Sequence, residues 1–169
     1  MLSKRLVFSS VFVVVFVLDR AGKQYVLGAL EPGERAALLG HLLSLVHTRV
    51  SSAAFGLMRG WEGSTQILVL GLLTLGCALV VGSFYRGLAR GEIGSAGALG
   101  AVLAGVFGNF LDRLRHGVGI DFLHLGPVTA ESMPDFDLSD LAIALGVLTL
   151  IAELLASEMA ARVEERPRR

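Results

Sequence analysis

Five aspartates define the chemistry open to this sequence. Asp19, Asp112, Asp121, Asp137 and Asp140 all fall at or just past the ends of long apolar stretches. An ionised side chain near hydrocarbon costs several kcal/mol unless it is paired or hydrated, so acids placed there need a reason. For some, a structural reason is at hand. Asp112 is followed directly by Arg113, and such neighbours commonly close a helix as a local pair. Asp19 precedes Lys23 by four residues, which puts both on one helix face, as an ion pair or as two side chains snorkelling to the interface. Asp135, after Pro134, reads as a solvated helix-start acid with no function.

Asp121 and Asp140 are different. Asp121 sits between Gly117-Val118-Gly119-Ile120 and Phe122, a charge in an extended apolar stretch with no adjacent cation. Asp140 runs straight into Leu141-Ala142-Ile143-Ala144-Leu145, and alone it could be no more than a partner for a helix dipole. The loop from 115 to 137 returns to the membrane face it left, so both carboxylates can meet at one depth. Two aspartates within hydrogen-bonding reach share a proton. That state suits peptide hydrolysis: the ionised member takes a proton from a water held between them, and the neutral member polarises the scissile carbonyl. Other chemistries find less support. Cys77 lies in the middle of an apolar run, and no Gly-x-Ser-x-Gly elbow occurs. His41, His47, His116 and His124 lack metal-ligand spacing and are expected at the surface or interface. Neither a metal nor an organic cofactor is implied.

The elements that must position these acids follow from composition. Of 169 residues, 53% are hydrophobic and only 18% charged, against the roughly one quarter typical of a soluble domain. The 15 basic and 15 acidic residues cancel, leaving no basic field for nucleic acid. The expectation is a mainly α membrane protein: a four-transmembrane-helix bundle with a small extracytoplasmic β element, forming one domain over 1–169. Spans are placed at about 6–27, 64–85, 93–112 and 138–159, with extracytoplasmic segments at about 28–62 and 113–137. The first run is followed by Asp19-Arg20-Ala21-Gly22-Lys23 rather than a small-x-small cleavage site, so it reads as an uncleaved helix. Lys4, Arg5, Arg86, Arg90, Arg162, Arg166, Arg168 and Arg169 fall on one side, which makes both termini cytoplasmic and sets the acids near the outer face. Gly97, Ala101 and Gly105, with Gly100, Ala104 and Gly108, recur every four residues and mark a helix built for close packing. Leu43–Val50 has the β-branched look of a short strand, and Ser51–Gly56 a small-residue turn.

With these motifs in order, the chain resembles the lipoprotein signal peptidases, the type II signal peptidases of bacteria. Asp19-x-x-x-Lys23 is similar to that family's motif at the end of its first helix. Ala53-Ala54-Phe55-Gly56 is similar to the end of Asn-x-Gly-Ala-Ala-Phe. Gly108-Asn109-x-x-Asp112-Arg113 and Val118-Gly119-Ile120-Asp121-Phe122 resemble its third-helix block, and Phe136-Asp137-x-x-Asp140 resembles Phe-Asn-x-Ala-Asp. The resemblance implies an intramembrane aspartic endopeptidase with Asp121 and Asp140 as the catalytic pair. Asp19, Lys23, Asn109, Asp112, Arg113 and Asp137 would support the site or bind substrate. It also implies diacylglyceryl-modified prolipoproteins as substrates, cut just before the lipobox cysteine in the bacterial cytoplasmic membrane. Inhibition by globomycin-type compounds is implied too, and the protein is expected to be a monomer.

The departures from the family pattern are three. Val50 replaces an Asn and removes an amide that could hold substrate backbone, and Ser52 replaces a Gly. Asp137 replaces an Asn three residues before Asp140, so it adds a third carboxylate on the same helix face. Its like charge should favour protonation nearby and shift pH or substrate preference, or lower activity. Two other readings stand beside the peptidase: a divergent paralogue that binds precursor or inhibitor with little turnover, and a small transporter using the acids as a proton relay.

Overall fold

The computed structural model describes residues 3–50, 60–129 and 133–164. The Ser51–Gly56 turn, the Ala53-Ala54-Phe55 motif, the Ser52 departure and the tail arginines 166, 168 and 169 lie outside the described residues. Four long helices dominate: α1 (Lys4–Ala29), α2 (Gly63–Gly87), α3 (Ile93–His116) and α4 (Leu138–Glu164). A four-stranded antiparallel sheet joins them, β1 (Arg35–Leu39), β2 (Leu43–Val50), β3 (Gly119–Leu125) and β4 (Asp135–Phe136), in that spatial order. The small β element expected from the sequence is this four-stranded sheet, and the strand expected at Leu43–Val50 is β2. The second outer segment contributes β3, which pairs along β2 and hides Ile120, Phe122 and Leu123 against Val26 of α1.

Among the described residues, three helices are long and apolar enough to cross a membrane: Gly63–Gly87, Ile93–His116 and Leu138–Arg162. α1 is less apolar because Asp19, Arg20 and Lys23 interrupt its second half. Asp19, Lys23 and Val26 form its buried stripe, at the four- and three-residue spacing of a helix face. Ser3 starts the helix by accepting the Leu6 N–H at 3.2 Å.

α3 is the central helix and packs against the other three. Its small residues explain how. A Cβ on Gly100 would come within 2.6 Å of the Phe8 carbonyl oxygen in α1, and one on Gly105 within 2.4 Å of the Ser139 carbonyl oxygen in α4. Lipid offers helices no hydrophobic reason to associate, so close backbone approach supplies the dispersion contacts instead. Gly105→Ala should therefore push α4 outward and cost about 1–3 kcal/mol. Thermal unfolding in detergent micelles tests this, and an unchanged midpoint would refute it.

The two ends of the bundle are chemically distinct. At one end Lys4 Nζ donates to the carbonyls of Tyr85, at 3.2 Å, and Leu88. Glu153 of α4 is bonded there by the Ser95 hydroxyl beside the first turn of α3, where the helix dipole favours negative charge. The C-terminal ends of α1 and α3, the start of α4 and the sheet share the other end. All five aspartates lie here.

Candidate active site

Asp121 projects from β3, opposite Thr48 of β2. Asp137 directly follows β4, and Asp140 lies in the first turn of α4. One carboxylate oxygen from each of the three lies within 4.8 Å of the other two. That span lets a single water touch Asp121 and Asp140 together. Asp121 is half-buried, Asp140 exposed, and Asp137 fully enclosed. The site thus has an open side and a closed floor.

The start of α4 is held by two carboxylates. Asp137 is its N-cap: Oδ1 accepts the Asp140 backbone N–H at 2.7 Å. Asp19 reaches across from α1, its Oδ1 accepting the Ser139 N–H at 3.1 Å. Asn109 of α3 donates through Nδ2 to Asp140 Oδ1 at 2.9 Å, which fixes the exposed carboxylate's rotamer. Phe122, next to Asp121, lays its ring where a side chain on Gly22 of α1 would sit, with ring carbons 2.5 Å from that Cβ position. Asp121 is therefore positioned by β3, and Asp137 and Asp140 by the start of α4, and both elements pack on α1 and α3.

Below lies a buried ion cluster. Lys23 is 1% exposed, and its ammonium sits 3.0 Å from Asp19 Oδ2 and 2.5 Å from Asp112 Oδ2, in contact with Asp137 Oδ2. Arg20 binds Asp19 at 2.5 Å, contacts Asp112, and donates to the Gly108 carbonyl at 3.2 Å. Oxygens of Asp19, Asp112 and Asp137 come close enough to hold a cation, and the Lys23 ammonium occupies that place. Three carboxylates face two cations, so the cluster keeps a negative balance next to the site.

These facts correct several expectations. Asp112 does not pair with Arg113. It faces α1, while Arg113 donates to the Asn109 carbonyl at 2.9 Å and lies over the backbone at Gly119. Asp19 and Lys23 do pair, but buried in the protein rather than snorkelling. Asp135 is not a solvated helix-start acid: it belongs to β4, and Asp137 caps the helix. His47 and His124 are buried under the sheet, not superficial, because their ring nitrogens bind the Leu30 carbonyl and Asp135 at 2.8 Å each. His41 and His116 are exposed. Arg20 escaped the sequence reading, although its place between Asp19 and Lys23 on a helix that packs on Asp112 was the available signal. Val50 pairs with Gly119 in the β2–β3 ladder.

Electrostatics separate the acids outside the spans. The Asp121 carboxyl is pushed up to about 7, chiefly by burial and then by the charges of Asp137 and Asp140, with Lys23 pulling the other way. Asp137 rises to about 6, again mainly through burial, with Lys23 opposing and Asp140 and Asp19 adding to the rise. Asp121 is thus suited to hold a proton near neutrality. Asp140 accepts a hydrogen bond from Asn109 in the first turn of a helix.

A family model described as signal peptidase (SPase) II matches residues 11–156. A lipoprotein signal peptidase of Syntrophomonas wolfei is 34% identical over 145 residues, covering 85% of this chain and 90% of that protein. One from Synechococcus sp. strain RCC307 is 36% identical over 144 residues, covering 83% and 89%. Two solved bacterial membrane enzymes, both obtained by the in meso method, share the fold. One has a TM-score of 0.79 at 21% identity, covering 96% of this chain and 93% of its own, and the other 0.75 at 23%, covering 88% and 92%.

Proposed function

The chain belongs to the signal peptidase II family, an aspartic peptidase that removes signal peptides from lipoprotein precursors, and we propose that Asp121 and Asp140 are its catalytic pair. The observation that carries this is the approach of their oxygens to within 4.8 Å at the sheet end of the bundle. Asp140 is the general base and takes a proton from water. Asp121, held protonated by its burial and acidic neighbours, donates towards the scissile carbonyl oxygen. Asn109 orients the base, and Asp19, Lys23, Asp112, Arg113 and Asp137 support the site from below.

The same reading extends to the membrane. The protein resides in the bacterial cytoplasmic membrane with several spans. α1 is read as a fourth span, because its charged residues turn inward on the ion cluster and its first half, Leu6 to Leu18, is uncharged. Both termini are then cytoplasmic and the site lies near the outer face. There it meets a precursor anchored by its signal helix and by diacylglycerol on the lipobox cysteine, and cuts just before that cysteine. Globomycin-type inhibitors occupy the pair, and one chain holds the whole site. Cleavage of a diacylglyceryl-modified precursor by the purified protein, with and without globomycin, tests this. Binding without cleavage would return the case to the paralogue reading, which the comparisons do not favour.

Asp137 should tune the pH response. Its negative charge helps keep Asp121 protonated. Asp137→Asn removes that charge, lowers the Asp121 pKa, and moves the alkaline limb of the kcat profile to lower pH. Asn can still cap α4 through its side-chain oxygen. A profile superimposable on the wild type would exclude this role.

A further inference from the structure

Asp135 is a carboxylate that the proposed mechanism does not use, yet it gathers three strands. Thr48 of β2 donates its hydroxyl to Asp135 Oδ2 at 2.6 Å, and His124 of β3 meets Oδ1 through Nδ1 at 2.8 Å. Arg35 of β1 sets its guanidinium 3.6 Å from Oδ1. His124 is 0% exposed, and among the described residues its other ring nitrogen is buried without a hydrogen-bond partner. The imidazole therefore directs its polar contact among those residues to Asp135.

Two features connect this knot to the catalytic pair. The first is a bulge in β2. Leu45 stands opposite Leu123 and Thr48 opposite Asp121, so three steps along β2 match two along β3. Without the extra residue His47 would face Asp121, whereas the bulge brings Thr48 there instead. Bulges beside active sites re-aim side chains in this way. The second is the brevity of β4, whose two residues make only the pairs Leu123↔Phe136 and His124↔Asp135. Two residues further on, Asp137 caps α4 and fixes the turn that carries Asp140. Little backbone thus ties the Asp140 segment to the sheet that carries Asp121.

We propose that Asp135 is a positioning residue for the reaction: by binding Thr48 and His124 together it locks β4 onto the sheet and sets the spacing of Asp121 and Asp140. This rests on the assignment of that pair as catalytic. A misplacement of about 1 Å can cost roughly a hundredfold in rate, so the role falls on kcat rather than on precursor binding.

The test is steady-state cleavage of a diacylglyceryl-modified precursor by Asp135→Ala, Asp135→Asn, Thr48→Val and the Asp135→Ala/Thr48→Val double variant, with detergent melting curves for each. Asp135→Ala should lower kcat about 10- to 100-fold with KM within about twofold. Asp135→Asn, which keeps an acceptor for Thr48, should recover most of that loss. Thr48→Val should lower kcat about fivefold or more at an unchanged melting temperature, and the double variant should be no worse than Asp135→Ala alone, because both cut one linkage. Wild-type kcat in Asp135→Ala, a loss confined to KM, or losses that multiply in the double variant would overturn the proposal. If Asp135→Ala does not fold, Thr48→Val decides, and wild-type kcat there overturns it. Asp121→Asn and Asp140→Asn run in parallel. Substantial activity in either sinks the catalytic assignment and this proposal with it, whereas dead pair variants beside an unaffected Asp135→Ala sink this proposal alone.

Discussion

Asp121→Asn and Asp140→Asn should each lower kcat for precursor cleavage by about a thousandfold or more, with the melting temperature of the protein barely changed. General acid and general base each contribute on the order of 10²–10⁴ in rate, and a shared-proton pair loses both functions when either member goes. Asn keeps the size of Asp and one acceptor oxygen, so Asn109 can still bond at position 140 and the fold is spared. Asn at 121 even removes the cost of enclosing an acid in a half-buried site. Lost activity with retained or improved stability is thus the signature of chemistry rather than architecture. A variant that kept a tenth of wild-type kcat would remove that residue from the reaction.

Lys23→Met should do the reverse and act first on the fold. The ammonium is enclosed among Asp19, Asp112 and Asp137, and Met fills nearly the same volume without charge. Removing one partner from a buried ionic group leaves uncompensated charge and costs about 3–5 kcal/mol. At about 2–4 °C per kcal/mol for a chain of this size, the melting midpoint should fall by roughly 6–20 °C. Adding Asp112→Asn should recover part of that loss, since it deletes one stranded carboxylate. Differential scanning fluorimetry in detergent reads both. A Lys23→Met protein melting within about 2 °C of wild type would show that the cluster does not bear on stability.

Much of the site could be read from residue order. Asp121 stood out as an acid in an extended apolar stretch without a neighbouring cation, and β3 holds it in that conformation. The glycine rows of α3 announced close packing, and both neighbours they admit carry site residues. What stayed hidden was contact across the chain. Asp112 faces Arg20 and Lys23, some ninety residues earlier, and adjacency to Arg113 suggested a nearer partner. The burial of His47 and His124 depends on a sheet assembled from two distant segments and on a bulge that no periodicity reveals. Asp135 looked like a helix-start acid because Pro134 precedes it, but the cap falls two residues later, where Asp137 also meets Lys23. Local rules locate acids near helix ends; they do not decide which acid caps and which pairs.

The amide of Ser139 is captured by Asp19, a residue at the far end of the sequence. Translation makes Asp19 well before Asp140. α1 therefore carries its acceptor before α4 exists, and only the docking of α4 brings Asp140 up to Asp121. A chain translated only as far as β3 holds one half of that carboxylate pair.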